Sequence, residues 1–183
     1  RGAAHFDGGK GSFCEGRQMN VPKHVVQAVH EALRLLPPAM DSKEARVMLY
    51  AIGLQESRFT HRAQVIDGGG KGPARGYWQF ERGGGVTGVL RHPSSRFWMS
   101  SACNARNVPA QPMNVWLALE NDDVLAAAAA RLLLFTDPAR LPAIGEQATS
   151  LRYYLRVWRP GKPHPSTWPE CYETALKAVG VEA

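Results

Sequence analysis

The chain has 183 residues, of which 44% are hydrophobic and 21% are charged. This length is enough for one well-formed core and short for two, so we expect a single domain that spans residues 1–183. No apolar run approaches the roughly 20 residues of a membrane-spanning helix, and we therefore expect no membrane span. The chain begins at Arg1 without a signal-like segment, which is compatible with excision from a longer protein.

The formal net charge is +6, and the basic residues are scattered along the chain. Because a nucleic-acid-binding protein concentrates its cations on one surface, we expect no specific nucleic-acid partner. The cysteines Cys14, Cys103 and Cys171 are odd in number and lack metal-ligand spacing, which favours reduced thiols. No histidine pair has the spacing of a zinc protease, and Lys71 lacks the Ser or Thr that follows the lysine of a phosphate loop. We expect no metal and no cofactor.

Apolar stripes at helical spacing predict an α-rich scaffold after an irregular, glycine-rich arm at residues 1–19. The predicted helices span residues 20–36, 41–59, 93–108, 122–133, 144–159 and 167–179. Capping-box spacing marks the start of the second helix, at Asp41 and Glu44, and of the last one, at Thr167 and Glu170. The alanine-rich fourth helix allows close approach of its neighbours, and we expect it to be central.

A glycine-rich segment at residues 67–74 precedes a short aromatic run, which ends at a second glycine cluster. This composition predicts a strand or hairpin bounded by turns. Because neighbouring strand residues face opposite ways, we expect either Tyr77 or Trp78 to be buried and the other to face a cleft. The predicted fold is thus mainly α, a helical bundle with a small β-hairpin lobe beside the cleft.

The second predicted helix carries an apolar stripe of Ala45, Met48, Leu49 and Ile52, and Glu56 is the next position on this stripe. An apolar site and the negative end of a helix dipole both disfavour a charged carboxylate, so we expect Glu56 to be protonated near neutral pH. A neutral carboxylic acid beside a cleft can donate a proton to a leaving oxygen. The alternative is a solvated Glu56 or an ion pair with Arg58 or Arg62, which lie close in sequence.

Two motifs resemble those of the lysozyme-like lytic transglycosylases and their goose-type lysozyme relatives, in the version found in phage-encoded wall-degrading proteins. Glu56-Ser57, followed by Phe59, is similar to the Glu-Ser motif of this family, and Gly76-Tyr77-Trp78-Gln79 is similar to its Gly-Leu-Met-Gln motif. The spacing between the motifs is also similar, with an extra glycine-rich insertion. A third motif, Tyr-Asn-Ala-Gly, has only a loose counterpart at residues 158–161. The resemblance covers residues 41–161 as the catalytic core.

The resemblance implies a lysozyme-like fold and cleavage of the β-1,4 bond between N-acetylmuramic acid and N-acetylglucosamine in peptidoglycan. Glu56 is then the catalytic acid and base, and no cofactor is needed. The remaining implied site residues belong to substrate binding: Ser57, which also positions Glu56, then Tyr77, Trp78 and Gln79, and Tyr154 or Trp158, which closes the cleft in the role of the family tyrosine. The implied place of action is the bacterial cell wall or periplasm, with a phage or prophage origin and a role in a virion or in lysis.

Several alternatives remain open at this stage. A transglycosylase forms 1,6-anhydro ends without water, whereas a lysozyme delivers water, usually with a second carboxylate. Only Asp67 and Glu81 are nearby in sequence, so transglycosylation is favoured over hydrolysis. A wall-binding or virion structural domain of the same fold is the alternative from another class. The basic residues at 152, 156, 159 and 162 form either a solvated face or a surface that attracts wall phosphates and stem-peptide carboxylates.

Overall fold

The structure, a computed structural model, describes residues 19–66 and 68–181. Most of the expected N-terminal arm, Cys14 and Asp67 lie outside the described residues. The helices are α1 (Lys23–Arg34), α2 (Lys43–Ser57), α3 (Thr87–Arg91), α4 (Arg96–Ala105), α5 (Pro112–Ala118), α6 (Asp123–Phe135), α7 (Gln147–Trp158) and α8 (Trp168–Val179). The strands are β1 (Ala63–Val65), β2 (Lys71–Arg75) and β3 (Phe80–Glu81). Pro38–Met40 and Pro165–Thr167 form 3-10 turns, and Arg82–Val86 forms a π-helical turn.

The strands form one antiparallel sheet in the order β1-β2-β3. Ala63 pairs with Arg75 across β1 and β2, and Arg75 pairs with Phe80 across β2 and β3. The prediction of a mainly helical protein with a small β-lobe is confirmed. None of the helices in the described ranges combines the length and the apolar character needed to cross a membrane.

Helix α6 lies at the centre of the packed helices, as its alanines predict. Residues 126–130 of this helix are all fully buried, and the helix packs against α1, α2, α3 and α4. Alanine side chains are short, so neighbouring helices can approach the α6 backbone from several directions. Asp122 begins the helix by accepting a hydrogen bond from the Leu125 amide, over 2.9 Å.

Helix α2 is also buried, on almost all of its surface from Val47 to Leu54. The prediction that Asp41 caps this helix is wrong. Ser42 is the N-cap and accepts a hydrogen bond from the Ala45 amide, whereas Asp41 pairs with Arg46. A hydroxyl one residue later in the chain thus takes the capping position, and the Asp41 carboxylate accepts two hydrogen bonds from Arg46.

Two short helices have no counterpart among the predicted elements. Helices α3 and α5 contain five and seven residues, too few for a clear helical period. The second glycine cluster lies within the π-helical turn before α3 and not in a simple turn. The capping box predicted at Thr167 is also wrong, since the Thr167 hydroxyl bonds to α2 and to the preceding loop.

Candidate active site

Glu56 lies in the last turn of α2, partly buried, with its carboxyl group facing α7. The Tyr154 hydroxyl donates a hydrogen bond of 2.7 Å to Glu56 Oε1. Burial raises the Glu56 pKa from 4.5 to about 7, and the hydrogen bond from Tyr154 opposes this rise. Near neutral pH, a substantial fraction of Glu56 therefore carries a proton that it can donate.

Neither arginine close to Glu56 in sequence forms an ion pair with it. The Arg62 guanidinium binds the Asp123 carboxylate through two hydrogen bonds, and Arg58 lies 3.9 Å from Glu170. Within the described part of the chain, no salt bridge involves Glu56. The ion-pair alternative for Glu56 is therefore wrong for the described residues.

The chain turns sharply after Ser57, and this turn aligns the end of α2 with the β-lobe. Arg58 and Phe59 both have left-handed backbone conformations, with φ of 54° and 52°. The Phe59 ring folds back onto Gly53, where a Cβ atom would lie only 2.2 Å from the ring. Gly53 is therefore required, because any side chain there would displace the phenyl ring that makes edge contacts with Tyr77 and Trp78.

Ser57 joins the helix end to the β-lobe. Its hydroxyl donates to the Tyr77 carbonyl over 2.7 Å and accepts from the Phe59 amide over 3.2 Å. The side chain is only 5% exposed, so of the two roles expected of Ser57, positioning of Glu56 fits the structure and direct contact with substrate does not. Its contacts instead fix the segment that carries Glu56 against the segment that carries Tyr77.

The residues Gly76 to Gln79 form the turn between β2 and β3. Gly76 has φ of 73°, and a Cβ atom there would lie 2.5 Å from the Leu119 carbonyl oxygen. The expectation that either Tyr77 or Trp78 faces a cleft is wrong, since the two residues are 5% and 0% exposed. Strand alternation does not apply because the pair lies in a turn.

The two buried rings of this turn serve as anchors. The Trp78 ring nitrogen donates to the Leu49 carbonyl, which ties the turn to α2. The Tyr77 hydroxyl lies 3.2 Å from His24 Nε2, and the Arg62 guanidinium lies over the Tyr77 ring. Because both side chains are buried, they hold the turn in place, and the structure does not support the expectation that they bind substrate.

Gln79 keeps a partly exposed side chain at the end of the turn. Its left-handed backbone has φ of 52°, and its side-chain amide donates to the Gly76 carbonyl over 2.9 Å. One donor of the amide nitrogen is used in this bond, so the second donor and the oxygen can serve a ligand. Gln79 remains a candidate substrate-binding residue.

Two side chains of α7, one helical turn apart, bind the two halves of the site. Tyr154 donates to Glu56, and the Trp158 ring nitrogen donates to the Trp78 carbonyl over 3.1 Å. The half-buried Trp158 ring also packs edge-on against Phe80, with centroids 5.6 Å apart. Of the two aromatic candidates, Tyr154 contacts the acid. Trp158 instead borders the turn that ends at Gln79.

Residues behind the site were not predicted from the sequence. The Gln55 amide donates to the His164 carbonyl over 2.9 Å, and the Thr167 hydroxyl donates to Gln55 Oε1 over 3.0 Å. The buried Trp168 ring stacks on Tyr154 at 5.0 Å and 12°. His164 and Thr167 are more than 100 residues from Gln55 in sequence, and Trp168 and Tyr154 lie on different helices. No local sequence pattern therefore indicates these contacts.

Within the described residues, Glu56 is the only carboxylate in the hydrogen bonds of Ser57, Tyr154 and Trp158. Glu81 is exposed at the end of β3, and Asp67 lies outside the described residues. Among residues 19–66 and 68–181, no group of three His, Cys, Asp or Glu side chains is placed to hold a metal ion. Cys103 and Cys171 are buried, neither forms a disulfide within the described residues, and burial raises the pKa of each thiol to about 11.

No protein-family model matches the chain, and neither a curated protein nor a solved structure is significantly similar to it. The functional assignment therefore depends on the residues of the site and their geometry.

Proposed function

We propose that this protein cleaves the β-1,4 bond between N-acetylmuramic acid and N-acetylglucosamine in bacterial peptidoglycan, with Glu56 as general acid and base. We further propose a lysozyme-like arrangement of the helices and the β-lobe. The bacterial cell wall would then be the place of action, in a phage-related role.

One observation carries the proposal: three hydrogen bonds join the segments whose motifs resemble those of one family. Ser57 binds the Tyr77 carbonyl, Tyr154 binds Glu56, and Trp158 binds the Trp78 carbonyl. The motif-bearing segments are far apart in sequence, and a role in packing alone does not require the acid to face a tyrosine. The raised pKa of Glu56 suits the same function, because a general acid must hold its proton near the working pH.

The proposed reaction uses Glu56 twice. In the first step, its carboxyl group protonates the glycosidic oxygen as the bond to the muramic acid C1 breaks. In the second step, the resulting carboxylate accepts the proton of the muramic acid C6 hydroxyl while this oxygen attacks C1. The products are a free N-acetylglucosamine hydroxyl and a 1,6-anhydro end, and Glu56 regains its proton.

Transglycosylation is favoured over hydrolysis because hydrolysis usually requires a second carboxylate to direct water. The hydrogen bonds of Ser57, Tyr154 and Trp158 in the described part of the chain include only one carboxylate, that of Glu56. Tyr154 can keep the Glu56 carboxyl oriented in both steps, since its hydroxyl donates to the protonated and to the ionised form.

The substitution Glu56→Gln tests the proposal, because glutamine keeps the shape of the side chain and cannot donate a carboxylic proton. We expect the rate of release of soluble fragments from purified peptidoglycan to fall by about 100-fold or more. Glu173→Gln is the matched control: Glu173 is an exposed residue of α8 that pairs with Lys177. Retained activity in Glu56→Gln protein, or an equal loss in both variants, would contradict the assignment.

A further inference from the structure

The loop between α7 and α8 is held beside the candidate acid and carries exposed positive charge. We define the basic loop as residues 159–165, whose cations are Arg159 and Lys162. Gln55, the residue before Glu56, donates to the His164 carbonyl, and Thr167 binds Gln55 in turn. The end of the loop is thereby fixed to the same turn of α2 that carries Glu56.

The start of the basic loop is fixed by the other helix of the site. Trp158, the last residue of α7, binds the Trp78 carbonyl, and Arg159 follows it directly with a left-handed backbone. Three prolines, at positions 160, 163 and 165, further restrict the loop backbone. A loop anchored at both ends and stiffened by proline presents its charges without a large entropy cost on binding.

The cations of the basic loop have no acidic partner among the described residues. Arg159 and Lys162 form none of the salt bridges, and both are exposed. Arg156, one turn earlier, differs in that Asp137 binds its guanidinium. Among residues 19–66 and 68–181, the guanidinium of Arg159 donates only to the Arg156 carbonyl, over 3.3 Å, through its Nε atom. Its terminal nitrogens and the Lys162 ammonium are thus available for an anion.

We propose that the basic loop binds carboxylates of the peptide stems that peptidoglycan carries, and thereby favours glycan strands with intact stems. This inference rests on the proposed function. The stem is attached to muramic acid, the same sugar whose C1 bond is cleaved, so its carboxylates accompany the scissile bond into the site. Burial and Tyr154 are the influences that set the Glu56 pKa, so the loop cations leave the acid able to hold its proton.

The test compares two substrates: glycan strands with peptide stems, and the same strands after removal of the stems by an amidase. Both are prepared from walls freed of phosphate polymers, which separates carboxylate binding from phosphate binding. For the double variant Arg159→Gln/Lys162→Gln, the ratio of kcat/KM on stem-bearing strands to kcat/KM on stripped strands is expected to fall about fivefold, as for two exposed charge pairs. Lys162→Gln alone, which leaves the end of α7 intact, should lower this ratio about twofold, as for one exposed charge pair.

Arg96→Gln is the matched control, since Arg96 is an exposed cation of α4 and does not belong to the basic residues at 152, 156, 159 and 162. Its ratio should equal that of the wild type. An unchanged ratio in the loop variants, or an equal loss on both substrates, overturns the inference while leaving the proposed function intact. Wild-type protein that cleaves neither substrate overturns the proposed function, and the inference with it.

Discussion

The pKa of Glu56 reflects two opposing influences at the scale of single residues. Burial raises it, and the hydrogen bond from Tyr154 lowers it. The sequence indicated the first influence, because the apolar stripe of α2 leads directly to position 56. It left the second open between Tyr154 and Trp158, since their side-chain directions depend on how α7 packs against α2 and the β-lobe.

Removal of the Tyr154 hydroxyl should shift the pH dependence of activity. In Tyr154→Phe protein, the Glu56 pKa loses the influence that lowers it and rises further. The alkaline limb of the rate–pH profile should therefore move to higher pH, while the maximal rate falls by about tenfold or more because the acid is less well oriented. The measurement is the initial rate of fragment release between pH 4 and about pH 10.

Tyr153→Phe provides the control for this prediction. The Tyr153 hydroxyl is buried and donates to the Leu134 carbonyl over 2.9 Å, without contact to Glu56. This variant should lose stability and keep the pH profile of the wild type. An alkaline limb that moves to lower pH in Tyr154→Phe protein would contradict the assigned hydrogen bond.

Glu56 should also make folding stability depend on pH. Its folded pKa of about 7 lies above the unfolded value near 4.5, so the native state binds more protons between these pH values. The contribution of Glu56 to stability is therefore complete below pH 4.5 and is lost as the pH rises through 7. Glu56→Gln protein avoids this loss. As the pH rises from 4.5 to above 7, its free energy of unfolding should therefore increase relative to that of the wild type by up to about 3 kcal/mol.

Urea unfolding of both proteins at pH 4.5 and pH 8 measures this difference, and all other groups titrate in common. Glu173→Gln should show no comparable gain, because Glu173 is an exposed side chain. A stability difference between Glu56→Gln and the wild type that is the same at both pH values would show that Glu56 is not buried in its neutral form.

At the scale of elements, the connection between α2 and the β2–β3 turn positions the site. Sequence patterns predicted α2 and the β-lobe but placed Tyr77 and Trp78 in a strand. The short β2 ends at Arg75, and the left-handed Gly76 begins a turn in which both rings reach the core. The same aromatic composition is compatible with a strand and with a buried turn, so the sequence did not decide between them.

Ser57→Ala should disturb activity beyond its effect on folding. Loss of the hydroxyl leaves the Tyr77 carbonyl without this donor and should cost about 1–3 kcal/mol of stability. Ser95→Ala is a close match, because the Ser95 hydroxyl is also buried and donates to a carbonyl, that of Val89, over 2.8 Å. Both free energies of unfolding should fall by similar amounts.

Only the Ser57 variant should lose kcat under conditions in which both proteins are fully folded, since Ser57 fixes the turn of Glu56 against the β-lobe. Equal kcat values for Ser57→Ala and the wild type, measured well below the unfolding temperature, would assign Ser57 a purely structural role.

At the scale of the whole molecule, the site is built from segments that meet only in the folded chain. The alanines of α6 predicted its central position because small side chains permit close helix packing. Distant pairs such as Arg62 with Asp123, and Gln55 with His164, had no signal in the sequence. Each pair combines common residue types at large separation, so only the packing of the helices selects the partners.

The net charge of +6 can be assigned to particular surfaces only in the folded molecule. Many basic side chains of the described residues are paired, as Arg46, Arg62, Arg75 and Arg156 are. The exposed cations of the basic loop differ because the fold holds them beside the candidate acid. The positions of the unpaired cations, and not the total charge, therefore distinguish a local anion site from a generally basic surface.

Mass spectrometry of the soluble fragments from purified peptidoglycan tests most directly whether Glu56 drives glycan cleavage. Wild-type protein is expected to release fragments with 1,6-anhydromuramic acid ends, and Glu56→Gln protein is expected to release almost none. Reducing ends from the wild type would replace transglycosylation by hydrolysis at the same acid. Wild-type protein that releases no glycan fragments, or a Glu56→Gln variant that yields the same products at the same rate, would contradict the central claim.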